Sequence, residues 1–345
     1  MPAAEHSQRL STHAPVMPPR RVLAQMLVGN QVQQAIYVAA KLGIPDLLKS
    51  GPKEISELAR AAEAHQDSLY RLLRALTGFG VFSELEPGWF ELTPVAALLE
   101  TGTSSCAFAL WSGGVNYQVF GALEYSVRTG KPAFERLFGM EFFDYLHANP
   151  QTGKLFDELM SWHTEPVAAA LAAHDFTGAD ILVDVGGGRG ELLAAVLNAH
   201  PAMQGILADH PRIAQTAQRY LESAGVANRS LIVCGDIFES VPSGGGVYLL
   251  KSVLHGLGDD RAERLLANCH EAMIDNAKLL LVEFVMPKTN DSFPGKLMDL
   301  LMLVGGPGRE RTESEFRQLL AAAGFRLTNI QTMKNAYSLI QAEKA

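Results

Sequence analysis

His255 lies just past the apolar run 247–251, and an imidazole with an ordinary pKa of about 6.5 can take a proton from a bound hydroxyl at neutral pH. Two carboxylates could orient it: Glu283, at the end of a later apolar run, and Glu310, in Gly308-Arg309-Glu310-Arg311-Thr312. A second set of residues looks built for binding. Asp184 runs into Gly186, Gly188 and Gly190; Asp209 follows about 20 residues on, and Asp236 stands in Cys234-Gly235-Asp236-Ile237-Phe238. Glycines let a turn adopt positive φ and let a ligand approach the backbone. A dinucleotide fingerprint needs a sixth-place glycine, where this chain has Glu191, and no phosphate loop of the G-x-x-x-x-G-K-[ST] type occurs. A carboxylate at 184 suits a ligand with a cationic amino-acid head better than a pyrophosphate. Asp209 is then placed for ribose hydroxyls, and Asp236 for an adenine amino group with Ile237 packed on the ring.

These residues need a sheet to bring them to one edge. Strands are expected over 181–185, 205–209, 230–234, 247–251, 279–285, 325–330 and 337–342, with helices between them such as 213–223, 261–274 and 313–323. Continuous apolar strands with helical crossovers mean a parallel sheet covered on both faces, with ligands at the carboxyl ends of the strands. The last two strands are too close in sequence for a crossover and should pair antiparallel. Asp259 and Asp260 resemble a metal pair but precede a helix, where they act as caps. Cys269 and His270 fall mid-helix.

Upstream, 106–177 reads as all-helical and aromatic, and Phe156, Met160, Trp162 and His163 lie nearest the sheet, so they are expected to line an apolar pocket. The stretch 22–48 is helical and apolar enough to be an oligomer surface. Two capped helices and a hairpin turned at Pro87-Gly88 then suggest a winged helix. Between 50 and 91 the bases Lys53, Arg60, Arg71 and Arg74 face the acids Glu54, Glu57, Glu63, Asp67, Glu84, Glu86 and Glu91. Phosphates would repel such a module, so protein contact is expected and nucleic-acid binding is not.

The 345 residues carry a net charge of −8, which gives no attraction to nucleic acid or anionic lipid. Hydrophobic content of 48% with 19% charged residues is ordinary for a globular protein. No apolar run reaches the ~18 residues of a membrane span. Cys106, Cys234 and Cys269 are distant and odd in number, which points to reduced thiols in a cytoplasmic setting and no zinc spacing. The expected order is a disordered lead-in (1–19), a winged-helix-like dimerisation domain (20–105), a helical linker and pocket segment (106–177) and an α/β ligand-binding domain (178–345).

The Asp184–Gly190 turn resembles the S-adenosylmethionine (SAM) loop of Rossmann-like methyltransferases. From Arg20 onwards the chain is similar to the dimeric small-molecule O-methyltransferases typified by plant caffeic acid O-methyltransferase and by bacterial phenazine and polyketide-antibiotic methyltransferases. The likeness rests on Leu69-Tyr70-Arg71-Leu72-Leu73-Arg74-Ala75-Leu76, the Asp184–Gly190 loop, Gly235-Asp236-Ile237-Phe238, Leu250-Lys251 with Leu254-His255, and Glu310-Arg311-Thr312. It implies a seven-stranded Rossmann-like sheet with an antiparallel last strand, and a homodimer made through the N-terminal domain. It implies His255 as base flanked by Glu283 and Glu310, with SAM contacts from Gly186, Asp209, Asp236, Ile237 and Lys251. Phe156, Met160, Met298 and Met302 match positions that line the family's pocket. The implied reaction moves a methyl group to a hydroxyl of an aromatic secondary metabolite without a metal, leaving S-adenosylhomocysteine. The family usually reads His-Asp-Trp where this chain has His255-Gly256-Leu257, losing a carboxylate beside the base and an aromatic that can cover the adenine. Relatives that keep SAM but hydroxylate, decarboxylate or close rings are the alternative, with a ligand-sensing winged-helix regulator behind them.

Overall fold

The structure is a computed structural model that describes residues 18–333 and 335–345. The expected lead-in therefore lies outside the described residues except for Pro18 and Pro19, and Pro19 already opens a helix. The chain divides into two compact units between Glu100 and Thr101.

The first unit is helical with a small sheet. Helices Pro19–Leu27, Gly29–Lys41 and Ile44–Leu48 lead to β1 (Lys53–Glu54), and helices Ile55–Ala61 and Gln66–Thr77 lead to the hairpin of β2 (Phe82–Glu86) and β3 (Trp89–Leu92). The helix 66–77 begins where His65 Nδ1 accepts the Ser68 amide, and it buries Leu69, Leu73 and Leu76, a stripe at one helical face. The hairpin closes at Gly88, whose φ of 86° is the left-handed region, and its amide donates to Glu84 Oε1 at 2.8 Å. β1 pairs with β3, giving the antiparallel order β1-β3-β2. Helix Pro19–Leu27 buries none of its residues within the unit, and Leu23, Met26 and Leu27 stand exposed.

The second unit opens with helices from Ser104 to Ala172, the last and longest being Pro150–Ala172. A seven-stranded sheet follows: β4 (Ile181–Val185), β5 (Gln204–Asp209), β6 (Ser230–Cys234), β7 (Val247–Lys251), β8 (Lys278–Glu283), β11 (Phe325–Thr332) and β12 (Ser338–Lys344). Two short strands, β9 (Val285–Met286) and β10 (Arg311–Thr312), pair in parallel away from it. The order is β11-β12-β8-β7-β4-β5-β6. β12 runs antiparallel to both neighbours, as expected for the last strand, while the β4, β5, β6, β7 and β8 pairings are parallel. Successive side chains alternate between two cores: Leu182, Leu249, Leu280 and Val282 pack on one face, Val183, Tyr248, Leu250, Leu279 and Leu281 on the other. β4 has β5 on one side and β7 on the other, so the chain order reverses there and opens a crevice at the strand ends.

One expected strand is shorter than its apolar run. The run 279–285 leaves the sheet after Glu283, because Val285 and Met286 pair instead with Arg311 and Thr312. This break is what places Glu283 at a strand end. No helix among the described residues is long and apolar enough to cross a membrane.

Candidate active site

The β4 turn is built around its glycines. Gly186, Gly188 and Gly190 have φ of 69°, 58° and 79°, which glycine alone adopts without strain. Gly187 is glycine for a different reason: a Cβ there would fall 2.4 Å from Asp184 Cγ and 2.5 Å from Leu207 Cδ1. Sequence spacing singles out the other three and misses this one. Asp184 is 1% exposed and lies beneath the turn, with Oδ2 lacking a partner. Burial, then the Asp209 charge, pushes its pKa up to about 7. The side chain lies under the backbone of the turn, in the space that the missing Cβ of Gly187 leaves.

Asp209 braces the same turn. Its Oδ2 accepts the Gly188 amide at 2.8 Å and its Oδ1 the His210 amide at 2.6 Å. Gly186 is brought to Ile237 and Val253: a Cβ at 186 would lie 3.0 Å from Val253 Cγ2 and 3.9 Å from Ile237 Cδ1. Asp236 is exposed, and its Oδ1 accepts the Phe238 amide at 2.8 Å, shaping the loop that carries Ile237. Lys251 Nζ donates to Thr164 Oγ1 at 3.3 Å and sits 5.8 Å over the Tyr337 ring. Burial lowers its pKa to about 8 against the pull of Glu283, Glu191 and Asp184. Beside it, the Ser161 hydroxyl donates to Glu191 and receives Arg189 Nη1 at 3.2 Å. The long helix is thereby tied to the glycine turn, a link that sequence analysis did not find because its members are 28 and 30 residues apart.

His255 rides on the 3-10 turn Leu254–Gly256, just after β7. Its Nδ1 lies 2.8 Å from Glu310 Oε1. With Nδ1–H donating to a carboxylate, Nε2 is left as the free lone pair of a base. Glu283, fully buried, makes no hydrogen bond to the ring: its Oε1 accepts the amides of Val253 at 3.1 Å and Leu254 at 2.9 Å. Burial lowers the His255 pKa, but the charges of Glu283 and Glu310 outweigh it and the net shift is upward. Glu283 itself is pushed up to about 7 by burial, against the pull of His255. Ligand atoms of His255, Glu283 and Glu310 all lie within 4.8 Å of one another, close enough to hold a metal ion, though one atom of each is already engaged in these hydrogen bonds.

The pocket residues separate. Phe156 and Met160 pack together with Trp111, Leu146 and Leu159, and His163 follows on the same helical face. The fields of Lys251 and His255 add to burial in lowering the His163 pKa to about 4. Trp162 is the exception. It is turned around the helix from Phe156, 37% exposed, and stacked on Phe108 at 5.3 Å and 12°. It shares the Phe108 ring with His163, which meets that ring edge-on at 6.1 Å, but is turned from Phe156, because six residues along a helix rotate a side chain by about 240°. Met298 and Met302 share one face of helix Gly295–Gly305, whose Asp299 Oδ1 accepts the Glu310 amide at 2.9 Å. A π-helical turn, Ser112–Asn116, leaves Asn116 Oδ1 buried without a partner, a signal no sequence period carries.

The His255-Gly256-Leu257 departure also reads differently in three dimensions. Nothing lies within 4 Å of where a Cβ would stand at Gly256, so the lost carboxylate leaves open space. Leu257, by contrast, is buried in the core with Tyr248 and Leu265. Ile237 and Val253 pack against that same cluster.

Comparisons with known proteins identify the family. The O-methyltransferase domain model matches residues 120–326, and the O-methyltransferase dimerisation domain model matches residues 24–102. The chain is 42% identical to phenazine O-methyltransferase PhzM of Lysobacter antibioticus, across 96% of this chain and 98% of that protein. It is 38% identical to O-demethylpuromycin-O-methyltransferase of Streptomyces alboniger, across 98% of this chain and 91% of that one. The crystal structure of LaPhzM superposes with a TM-score of 0.92 at 41% identity, covering 95% of this chain and all (100%) of that one. NcsB1 from neocarzinostatin biosynthesis, solved with SAM and 2-hydroxy-5-methyl naphthoic acid, superposes with a TM-score of 0.81 at 32% identity, covering 96% and 100%. The residues fit SAM: Gly186 leaves a cradle that a Cβ would fill against Val253 and Ile237, and Asp184 Oδ2 is a buried acceptor without a partner. Matched along its length by both models of one family, this chain belongs to the SAM-dependent O-methyltransferases.

Proposed function

We propose that this enzyme methylates a hydroxyl on an aromatic secondary metabolite, with His255 as general base, and that it works as a cytoplasmic homodimer paired through its N-terminal unit. The carrying observation is the 2.8 Å contact between His255 Nδ1 and Glu310, which leaves Nε2 free to accept the hydroxyl proton. When bound, SAM supplies an electrophilic methyl group, so the protein's tasks are to align the acceptor and remove its proton. Gly186 and Ile237 make the narrow wall for the nucleoside, and Lys251 with Thr164 makes a polar floor beside it. Phe156, Met160, Met298 and Met302 supply apolar surface for a flat ring system. The dimerisation domain and the exposed Leu23, Met26 and Leu27 support the homodimer. The net acidic charge supports a small-molecule partner rather than nucleic acid or membrane. An intact base and orienting acid support methyl transfer over the SAM-retaining alternatives.

The test is His255→Ala with a panel of hydroxyphenazines and hydroxynaphthoates, chosen because relatives are named for such acceptors. Turnover should fall by about 10²–10⁴-fold, the usual worth of a general base, with SAM affinity within twofold of wild type. Unchanged turnover would remove His255 from the mechanism.

A further inference from the structure

A single 3-10 turn, Leu254–Gly256, carries His255, and it follows Ser252 at φ 52°, a left-handed conformation rare outside glycine. One turn has too few internal hydrogen bonds to hold a side chain in register by itself. Two buried charges grip it from opposite ends. At the amide end Glu283 Oε1 accepts the Val253 and Leu254 N–H groups. At the carbonyl end Arg311, only 1% exposed, donates from Nη1 to Leu254 O at 2.7 Å and from Nη2 to Leu257 O at 2.9 Å. Negative charge at the amides and positive charge at the carbonyls is the favourable sense for a helical dipole.

We propose that Arg311 is a positioning residue for His255: by fastening the carbonyl end of this turn, it holds the imidazole against Glu310. The inference rests on the reading of His255 as the base. Glu310 and Arg311 are neighbours in sequence, so one strip supplies both the acid and the clamp. The strip is fixed in turn by the pairing of Arg311 with Val285 and by Asp299 on the Glu310 amide. At Gly308 it runs so close to the turn that a Cβ would lie 2.0 Å from the His255 carbonyl oxygen. A guanidinium presents its donors as a rigid fork, which lets Arg311 span two carbonyls while Nε and Nη2 hold Asp259 Oδ1 at 3.1 and 2.8 Å. Lysine has no such fork.

The experiment compares Arg311→Lys, Arg311→Met and Gly308→Ala by side-chain ¹⁵N NMR of His255, with calorimetry of SAM binding and thermal unfolding as controls. Around the ring Glu283 and Glu310 raise its titration midpoint and Lys251 lowers it, while His163 is neutral in this range. Loss of the Arg311 charge by itself would move the midpoint up, so a downward displacement reports the ring leaving Glu310. The expected result is a midpoint displaced downward as the ring leaves Glu310, fully in Arg311→Met and partly in Arg311→Lys. SAM affinity should stay within twofold, and kcat should fall by up to about 100-fold, the cost of a misplacement near 1 Å. Folded arginine variants whose His255 titrates as in wild type overturn the proposal. If the arginine variants fail to fold, Asp259→Asn decides by the same readouts, since it loosens the Arg311 guanidinium from its half-exposed carboxylate partner and keeps the buried charge. Gly308→Ala, which pushes the turn with Arg311 intact, is the positive control for a displaced ring. A displaced midpoint with undiminished kcat would instead refute the role of His255 as base and leave the positioning intact.

Discussion

Replacing Gly187 with alanine should be among the most damaging single-methyl changes in this protein. The added Cβ would stand 2.4 Å from Asp184 Cγ and Oδ2 and 2.5 Å from Leu207 Cδ1, about an ångström inside normal contact. Leu207 ends in a flexible methyl that can yield, but Asp184 is buried with little space to retreat. Overpacking of this kind costs about 1–3 kcal/mol. In a unit of this size each kcal/mol lowers Tm by about 2–4 °C, so a fall of roughly 2–12 °C is expected. SAM affinity should drop at least about tenfold with it, because the next amide, Gly188, is fastened to Asp209 and cannot move alone. The measurements are thermal unfolding and calorimetric titration with SAM. A double-mutant cycle sharpens them: in an Asp184→Ala background the nearest clash is gone, and the cost of the Gly187 change should shrink by about 1 kcal/mol or more. A Gly187→Ala protein with wild-type Tm and SAM affinity, or a cost unaltered by Asp184→Ala, would refute the packing argument.

Two further outcomes follow from the charges. His255 titrates above its ordinary value and must be neutral to act as a base, so kcat rises with pH through that midpoint; Glu310→Gln should move this acidic limb to lower pH while reducing the plateau, and an unmoved limb in a pH–rate profile would sink the assignment. His163 has its pKa lowered to about 4 in the folded state against 6.5 when unfolded, so the unfolded chain binds the extra proton and stability is lost as pH falls from 6.5 to 4, by roughly 3 kcal/mol; denaturant unfolding of His163→Phe should lack that share of the acid sensitivity, and parallel curves for the two proteins would exclude it.

Much of the site was legible in the chain because its residues follow strand ends. The carboxyl edge of a parallel sheet collects whatever stands after each apolar run, so Asp184, Asp209, Asp236, Lys251, His255 and Glu283 could be placed from runs alone. What those side chains do there was not legible. Asp184 turns under its own loop, Asp209 spends both oxygens on amides, and Glu283 holds a turn rather than the ring, choices made by packing and not by sequence position. Trp162 shows that nearness in sequence is a poor guide on a helix, where rotation decides the face. Arg311 was quoted only as part of a motif; a buried arginine has no sequence period, and its partners lie 52 to 57 residues away.

The position of β12 carries a consequence for synthesis. This strand is the last of the seven in chain order, yet it sits inside the sheet between β8 and β11, with Ser338 opposite Glu283. Until it arrives, β8 presents its backbone as a bare edge flanked by Leu279, Leu280 and Leu281, the kind of surface that recruits other chains. Residues 284–344 must emerge first, which at ~5–20 residues per second leaves that edge open for roughly 3–12 s. Glu283, at the end of β8, is therefore among the last features to be enclosed, and a nascent chain paused in this window has that edge open to other chains.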